Sequence, residues 1–177
     1  MRLFVAINFN SDIQRRIISI QKDLYERSKK GRFVPRDNLH LTLVFLGEVG
    51  EARVKLAQLC VKNIEAKPFT MKVNRLGKFK RPTGDLYWAG IQPNTNLDSI
   101  YKQLYDNFNS YEFYIKDAEY IPHLTLARDV LLKEGVDLEQ YKEDFPQIDI
   151  EVNSIQLMKS HVEDGKLIYT PLYTKDL

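Results

Sequence analysis

The tetrapeptide His-Leu-Thr-Leu occurs twice, at residues 40–43 and 123–126, in a chain of 177 residues that holds only 3 histidines. In a sequence of ordinary composition, a given histidine is followed by Leu-Thr-Leu roughly once in a few thousand cases. Two identical copies therefore argue for two lobes descended from one unit, or for parallel selection of one chemistry. Along a strand, successive side chains point to opposite faces. His40 and Thr42 then share one face with Leu41 and Leu43 behind them, and His123 and Thr125 stand in the same way before Leu124 and Leu126. Each leucine pair anchors its strand to apolar core. If the lobes face each other across a pseudo-twofold axis, two imidazoles and two hydroxyls converge in one groove.

Such a groove contains the parts of a phosphoryl-transfer site. Two histidines with ordinary pKa near 6.5 divide the work at neutral pH, one neutral as base and one protonated as acid. Threonine hydroxyls donate to non-bridging phosphoryl oxygens, whose charge must be held in the transition state. No metal or other cofactor is required. Two blander readings stay open: each motif is an ordinary strand with an inert histidine, or the histidines bind zinc with His161 as a third ligand. The chain has neither a His-Glu-x-x-His pattern nor a carboxylate–histidine cluster, and His161 sits beside a Glu-Asp-Gly turn where exposure is expected.

The surrounding pattern alternates between strand and helix. Residues 2–9, 39–46, 85–91, 119–128 and 167–173 read as strands, and Phe69, Met71 and Val73 alternate with polar residues as a half-buried strand does. Ser11 can cap a helix with Ile13, Ile17, Ile20 and Leu24 on one face, stopped by Gly31. Residues 51–64 form a second helix, Thr95 with Asp98 a capping box for a third, and residues 137–142 a short fourth. After Ile148, Ile150 and Val152 the apolar phase slips at Asn153-Ser154, as at a bulge. Glu163-Asp164-Gly165 signals a hairpin turn. The mixture predicts an α+β fold with largely antiparallel sheets.

Composition narrows the class. With 44% hydrophobic and 28% charged residues the chain is an ordinary globular one, and its longest apolar runs are too short to span a bilayer. Neither a signal peptide nor a disulfide framework is expected, the single Cys60 reading as a small buried residue, and a cytoplasmic compartment is the expectation. A net charge of +2 does not demand nucleic acid. Basic clusters in the first fifth of the chain and at Lys78, Lys80 and Arg81 suit a phosphate-rich partner, with solvated surface as the alternative. Lys78, Phe79 and Arg81 read either as a loop facing such a partner, with Phe79 able to stack on a base, or as a solvated hairpin with one tucked aromatic. Trp88 and Tyr87 read as core. Arg128 lies five residues past His123, and strict alternation turns it to the opposite strand face.

The text around both tetrapeptides carries a resemblance. Pro35-Arg36-Asp37-Asn38-Leu39-His40-Leu41-Thr42-Leu43-Val44-Phe45-Leu46-Gly47-Glu48-Val49 and Pro122-His123-Leu124-Thr125-Leu126-Ala127-Arg128 resemble the two signatures of the RNA 2′,3′-cyclic phosphodiesterases, formerly called 2′–5′ RNA ligases, within the two-histidine (2H) phosphoesterase superfamily. Arg2 to Ile7, Ser160, Gly165, Tyr169 and Leu172 also fit. The resemblance spans nearly the whole chain and implies one bilobal domain over residues 1–177, with an antiparallel sheet in each lobe, flanking helices and a central cleft. It implies hydrolysis of RNA-terminal 2′,3′-cyclic phosphates to 2′-phosphates by a monomer away from membranes, with minor reversible 2′–5′ joining of tRNA halves. His123 would activate water and His40 would protonate the departing 3′ oxygen; Arg128 is a candidate substrate contact, with an exposed or internally paired arginine as the alternative. Another 2H activity, on 2′–5′ oligoadenylate or a nucleotide cyclic phosphate, and a non-catalytic RNA-binding module are the alternatives.

Overall fold

The computed structural model describes residues 1–115 and 120–177. The strands are β1 (Arg2–Asn8), β2 (Ser28–Phe33), β3 (His40–Glu48), β4 (Phe69–Phe79), β5 (Asp85–Ile91), β6 (His123–Leu132), β7 (Ile148–Val152), β8 (Ser154–Glu163) and β9 (Lys166–Asp176). The helices are α1 (Ser11–Glu26), α2 (Val54–Lys62), α3 (Thr95–Ser110) and α4 (Leu138–Glu143). The strands form two wholly antiparallel sheets, one in the order β3-β1-β8-β9 and the other β2-β6-β5-β4-β7. The chain is α+β, as its pattern implies. Helices α1 and α4 pack on the five-stranded sheet, and α2 and α3 on the four-stranded one. No helix among the described residues is long and apolar enough to cross a membrane.

One motif strand belongs to each sheet, β3 at the edge of the first and β6 inside the second. All four leucines, Leu41, Leu43, Leu124 and Leu126, are buried in one apolar core that runs behind both sheets. A second, small cluster of Phe4, Ala6 and Met158, with Tyr169 against it, lies apart from that core. It gives the four-stranded sheet an apolar surface on its other side.

Several local expectations are corrected. The first helix is capped by Asn10, whose Oδ1 accepts from the Ile13 amide at 2.9 Å, and the third by Asn94, which accepts from Asn96 and Leu97. In both cases the asparagine one residue upstream reaches the free amides first. The first helix ends at Glu26, and Gly31 lies within β2, a strand with too few apolar residues to be read as one. Gly47 does not end β3, which runs on to Glu48 with Gly47 at a φ of 67°. The slip at Asn153 is not a bulge. There the chain leaves β7 in one sheet and enters β8 in the other. The strand expected from Glu119 starts at His123 among the described residues, and Glu119 lies outside them. The hairpin at Asp164-Gly165 does form, with both residues at positive φ, the backbone that matches strand twist.

Candidate active site

Both motif strands break their alternation at the same place. Val5 pairs with Val44 but Ala6 with Thr42, which leaves Leu43 as an extra residue in β3. Tyr87 pairs with Ala127 but Trp88 with Thr125, which leaves Leu126 extra in β6. The last leucine of each tetrapeptide is thus a bulge residue. A bulge shifts every later side chain by one position relative to the pleat. Leu43 and Val44 are both buried, as are Leu126 and Ala127. The next residues, Phe45 and Arg128, come back to the face of the histidine and threonine. The expected orientation of Arg128 is thereby overturned. It lines the same cavity as His123 and Thr125.

That cavity, of about 790 Å³, is lined by His40, Thr42, Phe45, His123, Thr125 and Arg128 from the two motif strands. The segment from Arg32 to Asn38 and the residues Lys166 to Tyr169 at the start of β9 close its sides. The Asn38 side chain joins these two walls by donating to the Leu167 carbonyl at 2.9 Å. Among the described residues no group of three potential metal ligands occurs, and His161, half-buried rather than exposed, is not part of the cavity lining.

The imidazoles are held alike. His40 Nδ1 lies 2.7 Å from the carbonyl of Asn38, and His123 Nδ1 2.7 Å from that of Ile121. A carbonyl only accepts, so each Nδ1 carries the hydrogen and each Nε2 is left to exchange a proton. The Thr42 hydroxyl donates to Nε2 of neutral His40 at 3.0 Å. Among the described residues, Thr125 makes no corresponding bond to His123. Burial pushes both imidazoles below the ordinary 6.5. The carbonyl contacts oppose that shift, and the Arg128 guanidinium adds to it in both rings. His123 lowers His40 a little further, so the two rings feel each other's charge.

Two aromatic rings flank each histidine. His40 sits 5.0 Å from Phe4 and edge-on to Tyr169 at 5.1 Å. His123 sits edge-on to Phe79 at 5.3 Å and 5.9 Å from Trp88. Tyr87 is core as expected, but Trp88 is only half-buried and forms part of this setting. Its indole fits because the adjacent strand positions lack side chains. A Cβ on Gly77 would stand 2.2 Å from the indole, and one on Gly90 2.7 Å.

The basic segment is less free than expected. Lys78 and Phe79 close β4 rather than forming a loop. Lys78 pairs with Asp85 at 2.6 Å, and Phe79 packs on Trp88 at 5.4 Å as well as on His123. Arg81 stands exposed in the turn that follows. None of the three lines the cavity. Cys60 is buried, which pushes its thiol up to about 11.

Sequence reasoning missed Phe45, Tyr169 and Lys166, which line the cavity, and Gln21, which supports it. Gln21 is 7% exposed, and its amide donates to the carbonyls of Val34 at 2.9 Å and Leu126 at 2.8 Å. The bulge in β6 therefore hangs on a side chain of α1. The available signal was a polar residue inside an apolar stripe, between Ile20 and Leu24.

Residues 9–164 match the family model described as the 2′-5′ RNA ligase superfamily. The chain is 28% identical to an RNA 2′,3′-cyclic phosphodiesterase of Thermotoga maritima, covering 98% of this chain and 94% of the relative. It is 30% identical to one of Methanocaldococcus jannaschii, covering 96% of each. Among solved structures, Escherichia coli LigT complexed with 3′-AMP superposes with a TM-score of 0.79 at 30% identity, covering 99% of this chain and 96% of that one.

Proposed function

The chain belongs to the 2′-5′ RNA ligase superfamily, and from that premise we propose that it hydrolyses 2′,3′-cyclic phosphates at RNA ends, with His40 and His123 as its acid–base pair. The observation that carries this reading is that the two His-x-Thr faces and Arg128 line one cavity, where that guanidinium depresses both imidazoles. With phosphorus between the rings, Nε2 of His123 takes a proton from water as its oxygen attacks. Nε2–H of His40 gives a proton to O3′ as the P–O3′ bond breaks, leaving a 2′-phosphate and a free 3′-hydroxyl. The near-symmetry of the motifs allows the opposite assignment, so this direction rests on family resemblance. The Thr42 and Thr125 hydroxyls and Arg128 face the non-bridging oxygens, where charge accumulates in the transition state. General acid and base catalysis each typically supply about two to four powers of ten in rate.

Around this centre Lys166 supplies a cation for an RNA backbone, while Arg32 stands at the rim paired with Asp129. Arg81 and, through Phe79, the end of β4 extend that surface past His123, whereas Lys78 is neutralised by its pair with Asp85 and can meet RNA only if that pair opens. One bilobal monomer would suffice, acting in the cytoplasm on cyclic-phosphate-ended RNA, tRNA halves included, with slow, reversible 2′–5′ joining when a 5′-hydroxyl replaces water as the nucleophile and O3′ again leaves.

The test is incubation with an oligonucleotide ending in a 2′,3′-cyclic phosphate and identification of the product. A terminal 2′-phosphate is expected. A 3′-phosphate would reverse the leaving group, and an unchanged substrate would reject the enzyme reading. RNA binding without turnover, equal in wild type and His123→Ala, would favour the binding module.

A further inference from the structure

A further bulge lies in the five-stranded sheet. Val73 pairs with Ile91 but Arg75 with Gly90, which leaves Asn74 as an extra residue in β4. Val73 and Leu76 are buried, whereas Arg75 is exposed. Gly90 pairs with His123 on its other side, and cross-strand partners share a face. Arg75, Gly90 and His123 thus form one row across three strands, on the face that carries the motif. The middle place in that row is a glycine, and the arginine occupies it. A Cβ on Gly90 would stand 2.4 Å from Arg75 Nε and 2.6 Å from its Cγ. The side chain therefore lies over β5, folded towards His123, with one strand spacing of about 4.8 Å left to β6. The row leads away from the cavity wall of Arg32 to Asn38, which stands on the β2 side of β6. Among the described residues no carboxylate pairs with Arg75. The proton carriers do not use it either, since the guanidinium that depresses both imidazoles is that of Arg128. A cation laid across the sheet beside the cleft, without a counter-ion, is placed for a phosphate.

We infer that Arg75 holds a phosphate of a second RNA strand, the one whose 5′-hydroxyl takes the place of water, and so sets how well the cleft handles 2′–5′ linkages relative to cyclic ends. The inference rests on the proposed function, including its assignment of His123 as the base. In that assignment the nucleophile reaches phosphorus from the side of His123, opposite O3′ and the ribose that bears it. A nucleoside whose O5′ stands there extends outwards over the lobe of His123. Its own 3′-phosphate then comes one nucleotide on, in the direction in which the row runs through Gly90 to Arg75. In joining, O5′ bonds to phosphorus and its proton passes to Nε2 of His123. The P–O3′ bond breaks and O3′ takes the proton of His40, which leaves a 2′–5′ diester and a free 3′-hydroxyl. Cleavage of such a diester runs the same steps backwards and regenerates the cyclic phosphate. Hydrolysis puts only water on this side and leaves Arg75 idle.

The test measures three reactions in wild type and Arg75→Gln. One is hydrolysis of an oligonucleotide 2′,3′-cyclic phosphate. The other two are cleavage of 2′–5′-linked diadenosine with and without a 3′-phosphate on its second nucleoside, followed by release of the 5′-hydroxyl fragment. In wild type the 3′-phosphate should lower KM by about tenfold, in the range of a charge-assisted hydrogen bond. Arg75→Gln should abolish that preference and hydrolyse the cyclic end as wild type does. The inference is overturned by a wild type indifferent to the 3′-phosphate, by a preference that survives in Arg75→Gln, or by a wild type that opens cyclic ends but leaves both 2′–5′ linkages intact. An equal loss in hydrolysis would also overturn it, by placing Arg75 on the strand that bears the cyclic end. Failure of the wild type to open the cyclic-phosphate oligonucleotide would instead sink the catalytic reading.

Discussion

Strands β3 and β6 are two renderings of one design. Both start at histidine, follow it with a buried leucine and a half-buried threonine, and then spend a bulge on the second leucine. Both fix Nδ1 on a carbonyl two residues upstream and enclose the ring between two aromatics. The differences begin after the bulge. The lobe of His123 adds a guanidinium at Arg128 and an indole at Trp88, whereas the lobe of His40 adds exposed Phe45 and ties Nε2 to Thr42. The repeated strand presents two similarly held imidazoles, and the residues outside the repeat make the two sides of the cleft unlike.

The largest expected effect tests the sameness. His40→Ala and His123→Ala should each lower kcat by roughly two to four powers of ten, measured on a cyclic-phosphate oligonucleotide. The double variant should lose little more than either single, because acid and base act as a unit. A histidine variant that kept the wild-type rate would break the pairing.

Next comes the difference at Arg128. Its charge disfavours the imidazolium form of both rings, so removing it lets each ring hold its proton to higher pH. In wild type, kcat/KM should follow a bell whose limbs belong to the coupled pair and lie on the acid side of the ordinary 6.5. Arg128→Gln should move the bell upward and lower the rate by about a hundredfold, as loss of a transition-state donor does. An unmoved pH profile would remove Arg128 from the electrostatics of the site.

Smaller effects should separate the threonines. Thr42→Ala and Thr125→Ala should each cost less in rate than a histidine change, on the order of tenfold. Only the first should shift the titration of its own histidine in a proton NMR experiment, because of the two threonines only Thr42 bonds to an imidazole among the described residues. Equal shifts would erase that asymmetry.

Smallest, Gly77→Ala should push the Trp88 indole aside. About 1–3 kcal/mol of stability should be lost in denaturant unfolding, with the His123 resonance disturbed and that of His40 spared. Disturbance of both would mean that the lobes do not respond separately.

Much of this was legible in the residue order. Spacing alone indicated β5, β7 and the strands of both motifs, and it selected the four side chains that line the cavity from the tetrapeptides. What it hid has a common origin. Strand β2 carries lysines and a glycine because it is an edge strand, and its pairing with β6 leaves no apolar signature. Residues Ile148 to Leu157 look like one slipped strand because both halves bury alternate side chains, although they do so in different sheets. Gln21 could not be read as a support for the cavity, since its partners at Val34 and Leu126 meet it only in the folded chain.

From its sequence alone this protein had the shared faces of its two His-x-Thr pairs determined, because strand alternation follows from backbone covalent geometry and needs no partner. The tertiary structure decided which residues join those groups after the threonines. A bulge is a mismatch of register between two strands far apart in the chain, and it exists only once they pair. That mismatch places Arg128 and Phe45 in the cleft.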